Sequence, residues 1–382
     1  MRDHFWRADM NGVDWQATLD RYAPIVERIG TYSELIDLLW EVQGELATSH
    51  AYAQPGGGVA RDPKRRQGQL GADLARDENG VWRISRVLPG ESSDHEARSP
   101  LLAPGVAVRE GDAIVAVGGR RVDPVRGPLA LLSGAAERPV ELTVQPGSGG
   151  ETRRVVVTPV ADETPLRYHD WVAGRRAFVR AASGGRLGYL HVPDMVATGW
   201  AQFHRDLHAE MGFDGLIVDV RDNGGGHVSA LVLEKLQRRV TGWSLARGYE
   251  PMRYPDDSPR GPIVAVADEF AGSDGDIVSA GIKNRGIGPL VGTRTWGGVI
   301  GIDGRYSLVD GTIVTQPRYS FWLEGEGWGV ENHGVVPDVE VIVTPQDLVA
   351  GRDPQLARAV ELALAALEER DPASPPELPP LR

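Results

Sequence analysis

Cysteine is absent from the 382-residue chain, which removes disulfides, thiolate zinc sites, iron–sulfur clusters and a cysteine nucleophile from the chemistry open to it. Basic charge is in deficit too: 41 Lys and Arg stand against 53 Asp and Glu, a formal net charge of −12. That balance argues against sequence-independent binding to a phosphate backbone, so no nucleic-acid partner is expected. No stretch approaches the roughly 20 consecutive apolar residues of a membrane helix, so no membrane partner is expected either. The first ten residues carry Arg2, Asp3, His4, Arg7 and Asp9 and no apolar run, unlike a secretory signal, and the expected location is the cytoplasm. The 48 glycines and 27 prolines supply many turns yet stay below the roughly 25–30% of a low-complexity chain.

What is present divides along the chain. Residues 15–29 and 32–46 space apolar side chains at three and four, with Leu35, Leu38, Leu39, Val42 and Leu46 on one stripe and Thr31 and Ser33 near a start, which predicts two helices in a segment 1–60. Gln54-Pro55-Gly56-Gly57-Gly58 and the charged stretch 61–66 then break the periodicity. From 61 to 165 short β segments at 82–87, 112–117, 140–144 and 154–158 alternate with turns, which predicts a small β-rich domain. Within it, Ser99-Pro100-Leu101-Leu102, Gly105-Val106 and Glu110-Gly111-Asp112-Ala113-Ile114-Val115-Ala116-Val117-Gly118-Gly119 resemble the corresponding run of a PDZ domain in its permuted bacterial form. Such domains take peptide tails by adding a strand to a sheet edge and holding the terminal carboxylate on backbone amides; a spacer that binds nothing is the other reading. Residues 166–350 alternate strands (187–192, 215–220, 262–267, 290–292, 335–341) with helices (200–211, 227–239, 273–282), the signature of an α/β core with a largely parallel sheet. The remainder, 351–382, reads as an amphipathic helix over 353–367 and a disordered Pro-rich end over 372–380.

Three places join a reactive group to a useful backbone. Ala271-Gly272-Ser273-Asp274-Gly275-Asp276 follows a strand and opens a helix, so Ser273 is either a nucleophile held near free helix-terminal amides or a plain helix cap. Asn223-Gly224-Gly225-Gly226 lets backbone approach a ligand closely, as an oxyanion donor or as a phosphate cradle, although no P-loop or G-x-G-x-x-G spacing accompanies it. In Thr48-Ser49-His50-Ala51-Tyr52, His50 suits a general base at neutral pH or serves as an ordinary structural histidine. His204 and His208 are four apart but lack the Glu of a metallopeptidase helix and read as a solvated face. Asp94-His95-Glu96 lies in a charged loop, and Trp296, Trp322 and Trp328 read as packing or cleft residues.

Together these segments resemble the C-terminal half of the tricorn protease family, serine peptidases of the C-terminal-processing-peptidase clan. The resemblance rests on Trp6, Met10-Asn11-Gly12-Val13-Asp14-Trp15, Leu46-Ala47-Thr48-Ser49-His50-Ala51-Tyr52, the PDZ-like run, the Ser273 turn and Val330-Glu331-Asn332-His333-Gly334-Val335-Val336-Pro337-Asp338. It implies a multidomain α+β and α/β architecture whose core has the ClpP/crotonase type of sheet. It also implies Ser273 as nucleophile, His50 as base, Ser49 and Glu331 as its supports, and the amides of Asp274 and of Gly225 or Gly226 as oxyanion donors. Peptides are the implied substrates, a homo-oligomer, hexameric in the family, is the implied assembly, and no metal or cofactor is implied. Family members carry two β-propellers ahead of this region, so the chain is expected to be either a fragment or a propeller-less form. Two alternatives stay open. One is a non-catalytic PDZ scaffold; the other is a Ser–Lys processing peptidase using a lysine such as Lys283, although Gly298 stands where the lysine of that group would fall in Gly292-Thr293-Arg294-Thr295-Trp296-Gly297-Gly298.

Overall fold

The computed structural model describes residues 1–56, 66–303 and 306–379. It divides into two compact units, one formed by 1–58 with 176–382 and the other by 59–175. The N-terminal segment therefore shares a unit with the α/β body.

Asp14 accepts from the Ala17 amide and opens α1 (Trp15–Val26), and a Thr31–Glu34 capping box opens α2 (Tyr32–Gly44). Helix α1 stops short of residue 29 because Pro24 lies in its last turn and offers no N–H. A short strand, β1 (Ala53–Gln54), follows.

In the second unit, β2 (Ala72–Arg76), β3 (Trp82–Val87), β4 (Ala113–Val117), β5 (Arg120–Arg121), β6 (Val140–Gln145) and β7 (Arg153–Val157) form one antiparallel sheet in the order β2-β3-β4-β6-β7, with β5 beside β4. Inward residues such as Ile84, Ile114, Leu142 and Val144 close a core with Leu70, Leu101 and Leu132. Helix α3 (Thr164–Ala182) follows. The sequence pattern does not announce it, because its buried apolar residues Leu166, Val172 and Val179 fall six and seven apart among arginines.

The α/β body then runs β8 (Leu187–His191), α4 (Ala197–Glu210), β9 (Gly215–Asp219), α5 (Ser229–Leu236), a hairpin of β10 (Gly242–Ser244) and β11 (Met252–Tyr254), β12 (Ile263–Ala267), α6 (Asp274–Asn284) and β13 (Leu290–Gly292). Beyond these lie β14 (Gly301–Asp303), β15 (Ile313–Val314), β16 (Gln316–Tyr319), β17 (Val339–Glu340), α7 (Pro345–Val349) and α8 (Pro354–Glu369). The sheet order is β17-β13-β12-β9-β8, parallel throughout. Every residue of β8, β9 and β12 is buried, as a sheet covered on both faces requires. Helix α8 lies across β9, β12 and β13. The expectation of disorder after it fails at Ala373, whose amide donates to the Arg260 carbonyl at 2.8 Å. The glycines and charges at 57–65 lie outside the described residues.

This topology places the site. Strands β9 and β12 are neighbours, so the loops after them, 220–228 and 268–273, emerge side by side at the carboxyl ends of a parallel sheet. Strand β1 pairs with β15 and brings residues 48–52 to the same body.

Candidate active site

Ser273 occupies the N-cap of α6 but does not cap it, since its side chain makes no cap hydrogen bond. Its backbone sits at φ 58°, ψ −118°, a region L-residues rarely enter and one that costs on the order of 1–3 kcal/mol. Surrounding bonds impose that conformation. The Gly272 amide donates to the Asn223 carbonyl at 3.0 Å, the Gly275 amide to Gly272 at 2.8 Å, and the Trp296 amide to Ala271 at 3.0 Å. Below the turn, the buried Asp276 carboxylate accepts from the amides of Gly297 (2.8 Å) and Gly298 (3.1 Å) and from the Thr295 hydroxyl. Burial raises the Asp276 pKa, and these donors oppose the rise.

The glycine turn lies directly against this elbow. A methyl group on Gly225 would stand 2.6 Å from Ser273 Cβ, and φ there is +78°, so the position demands glycine. The Gly225 amide donates to Asn223 Oδ1 at 2.9 Å, while Asn223 Nδ2 donates to Val192. The Gly224 amide donates to Pro193 at 3.0 Å. With two of the three amides satisfied internally, the turn is poorly suited to cradle a phosphate. Neither is the start of α5 free, because the Asp274 carboxylate accepts from the Ser229 amide at 2.8 Å and from its hydroxyl. The Asp274 amide, first in α6, has no partner within the helix.

The candidate base stands on the N-terminal segment. His50 is 9% exposed, with φ +57°, and Thr315 Oγ1 donates to its carbonyl at 2.5 Å. Its Nδ1 is 3.0 Å from Ser49 Oγ, which donates to Glu331 Oε2 at 3.0 Å. Glu331 also accepts from the amides of Ser49 (2.7 Å), Val299 (2.8 Å) and Ile300 (3.2 Å) and from Thr48 Oγ1 (3.2 Å). Burial lowers the His50 pKa, and the Glu331 charge acts against that shift.

The structure thus assembles two groups: Ser273, Asp274, Gly225 and Gly226 on one side, and His50, Ser49 and Glu331 on the other. Residues 295–300 join them. Gly297 and Gly298 serve Asp276 beneath the serine, and Val299 and Ile300 serve Glu331. Between them the Trp296 ring, 46% exposed, meets the His50 ring edge-on at 5.2 Å and lies 2.7 Å from where a Gly272 methyl would stand. Asp276 and the Val299 and Ile300 amides were not assigned roles from the sequence, whereas Trp296 was read as a packing or cleft residue. The doubled glycine at 297–298, beside a lone tryptophan, was the only sequence signal for this strap.

Other candidates fall elsewhere. Lys283 lies nine residues along α6 from Asp274, about 14 Å away at 1.5 Å per residue. Its ammonium donates to the Val336 carbonyl and stands 3.7 Å from Asp338, which removes it as a base for Ser273. His204 packs against Trp200. Asp94, in the charged loop, pairs with His169 Nε2 at 3.1 Å. Arg221 joins the fully buried Asp219 to Asp353, the N-cap of α8. Tyr189 adds a hydroxyl to Asp219 at 2.9 Å, so the loop toward Asn223 leaves β9 from a fixed ionic base. Among the described residues, no group of three or more His, Asp and Glu could hold a metal, and no helix is long and apolar enough to cross a membrane.

Comparison with known proteins yields three family matches: the tricorn protease C1 domain over residues 1–44, the tricorn protease PDZ domain over 68–162 and peptidase family S41 over 186–341. The chain is 68% identical to tricorn protease homolog 1 of Streptomyces coelicolor, over 99% of this chain and 35% of that one. It is 37% identical to the tricorn protease of Thermoplasma acidophilum, over 96% of this chain and 34% of that one. A tricorn protease crystal structure superimposes with a TM-score of 0.90 at 36% identity, covering 96% of this chain and 36% of the other. The chain spans about a third of the length of these relatives.

Proposed function

Because the chain belongs to the tricorn protease family and carries its peptidase S41 segment, we propose that it hydrolyses short or unfolded peptides through an acyl-enzyme on Ser273. The observation that carries this reading is the uncapped Ser273 at positive φ on the head of α6, a conformation held in place by its neighbours.

Neutral His50 donates its Nδ1–H to Ser49 Oγ, which in turn donates to Glu331, so Nε2 is left as the proton acceptor. As Ser273 Oγ attacks the peptide carbonyl, Nε2 takes its proton, and the negative Glu331, relayed through one hydroxyl, steadies the imidazolium. The carbonyl oxygen becomes an oxyanion and is received by the amides of Asp274 and Gly226, since the Gly225 amide is committed to Asn223. The imidazolium then protonates the departing amine as the C–N bond breaks. Water attacks the acyl-enzyme with His50 again as base, which returns Ser273 and releases the acid. Burial of His50 keeps the ring neutral and ready at neutral pH.

Reaction with a fluorophosphonate, followed by mapping of the modified residue, tests this reading. The label is expected on Ser273, and Ser273→Ala is expected to lower peptide turnover by roughly 10⁶-fold. Label on another serine, or hydrolysis that survives the substitution, defeats the mechanism. Peptide binding with neither label nor turnover identifies a scaffold instead.

A further inference from the structure

In the unit of residues 59–175, β2 is the edge of its sheet, paired with β3 on one side only. The strand borders a cavity of about 180 Å³ whose apolar wall includes Leu70, Leu74, Trp82, Pro128 and Leu129 and whose lining also carries Asp73, Arg126, Glu163 and Arg167. An open strand edge beside an apolar hollow is the arrangement that accepts an added strand, with backbone bonds for affinity and a pocket for one side chain. A terminal carboxylate would additionally need free amides at the turn entering that strand.

One amide of that turn is already taken. Gly71, at φ +62° and closely packed against Leu166 and Ser99, donates its amide to Glu163 Oε2 at 3.2 Å. The Glu163 side chain is only 17% exposed. Its other oxygen takes the Arg167 guanidinium at 2.8 Å, and Arg167 also holds Asp73, within β2, at 2.9 Å. One internal carboxylate therefore occupies the amide, and the Arg167 guanidinium is shared between two acids. A ligand carboxylate arriving here finds the Gly71 amide taken and Arg167 shared between two acids, with Arg126 also on the cavity wall, and to reach that amide it must expel Glu163, exchanging one ion pair for another at little gain.

We propose that the groove along β2 binds extended segments internal to a polypeptide, inserting one apolar side chain into the cavity, and does not recognise chain termini because Glu163 stands in for the terminal carboxylate. Nothing in this depends on the catalytic reading above.

The test uses a fluorescein-labelled decapeptide with two leucines in an otherwise Ser/Thr/Ala sequence, made as the free acid and as the C-terminal amide. Anisotropy titrations with the full chain carrying Ser273→Ala prevent cleavage. Both peptides are expected to bind within about twofold of each other, and both to weaken about tenfold on Leu129→Asp, a half-exposed site whose change leaves the thermal melt in place. Glu163→Ala should give the free acid an advantage of about tenfold over the amide, since a charge-assisted contact becomes available. A free acid already tenfold tighter with Glu163 present overturns the proposal. So does absence of binding, binding indifferent to Leu129→Asp, or a Glu163→Ala chain that still treats the two peptides alike.

Discussion

The two halves of the candidate site are held by different means. Ser273 is fixed by backbone: a rarely occupied φ, glycines packed against it, and Asp276 gathering amides underneath. His50 is fixed by side chains: a hydroxyl relay to a carboxylate that itself draws on five donors. The half around Ser273, the proposed nucleophile, stores strain where small residues permit it, and the half around His50, the proposed base, depends on electrostatics that a single charge sustains. Steric change at the glycines should therefore break the first and spare the second, while removal of the Glu331 charge should do the reverse.

The largest effect expected from that contrast belongs to Gly225→Ala. Its added methyl lies 2.6 Å from Ser273 Cβ and 2.9 Å from the Gly272 carbonyl oxygen, so the serine must move; kcat/KM should fall on the order of 10³-fold. The acid limb of the pH profile should stay where it was, and a shift of that limb would mean the halves are not independent. Glu331→Gln comes next. It should lower kcat about 10²-fold by withdrawing the charge that steadies the imidazolium, while fluorophosphonate still reaches Ser273. The same charge raises the His50 pKa against the lowering by burial. Removing it lowers that pKa further, so the acid limb of kcat/KM, already below the ordinary histidine value of about 6.5, should move to still lower pH; a move upward contradicts this account. The smallest effect is reserved for Asp276→Asn, whose carboxamide offers one acceptor oxygen to donors that now share two. Each donor left unpaired costs about 1–3 kcal/mol, to be read as a lower denaturant midpoint, and an unchanged midpoint would show that Asp276 does not hold the elbow.

Much of this was written in local sequence. The alternation of strands and helices from 187 onward, and the strand–turn–helix around Ser273, follow from periodicity and glycine placement within windows of a dozen residues. Glu331 was a different matter: nothing around Val330-Glu331-Asn332 marks it, and it entered only through resemblance. Asp276 went unassigned, and Trp296 was read only as a packing or cleft residue, because their roles arise from contacts across 19 to 246 positions, and a side chain has no local signature for a partner so distant. Helix α3 escaped because sparse apolar residues among arginines give no continuous stripe. Gly71 and Glu163 are 92 positions apart, so the taken amide of the β-rich unit was likewise invisible before folding.

The pairing of Ser49 with Glu331 spans 282 positions, and this sets an order in time. A ribosome adding roughly 5–20 residues per second finishes the histidine early, then the serine elbow, and needs about 15–60 s from one end of the hydroxyl relay to the other. Only for the last 58 residues of that interval, about 3–12 s, does the emerging chain hold both Ser273 and His50 with no Glu331 behind them. On the mechanism proposed above, the chain is made unarmed, and the sequence separation of Ser49 from Glu331 serves as its safety delay.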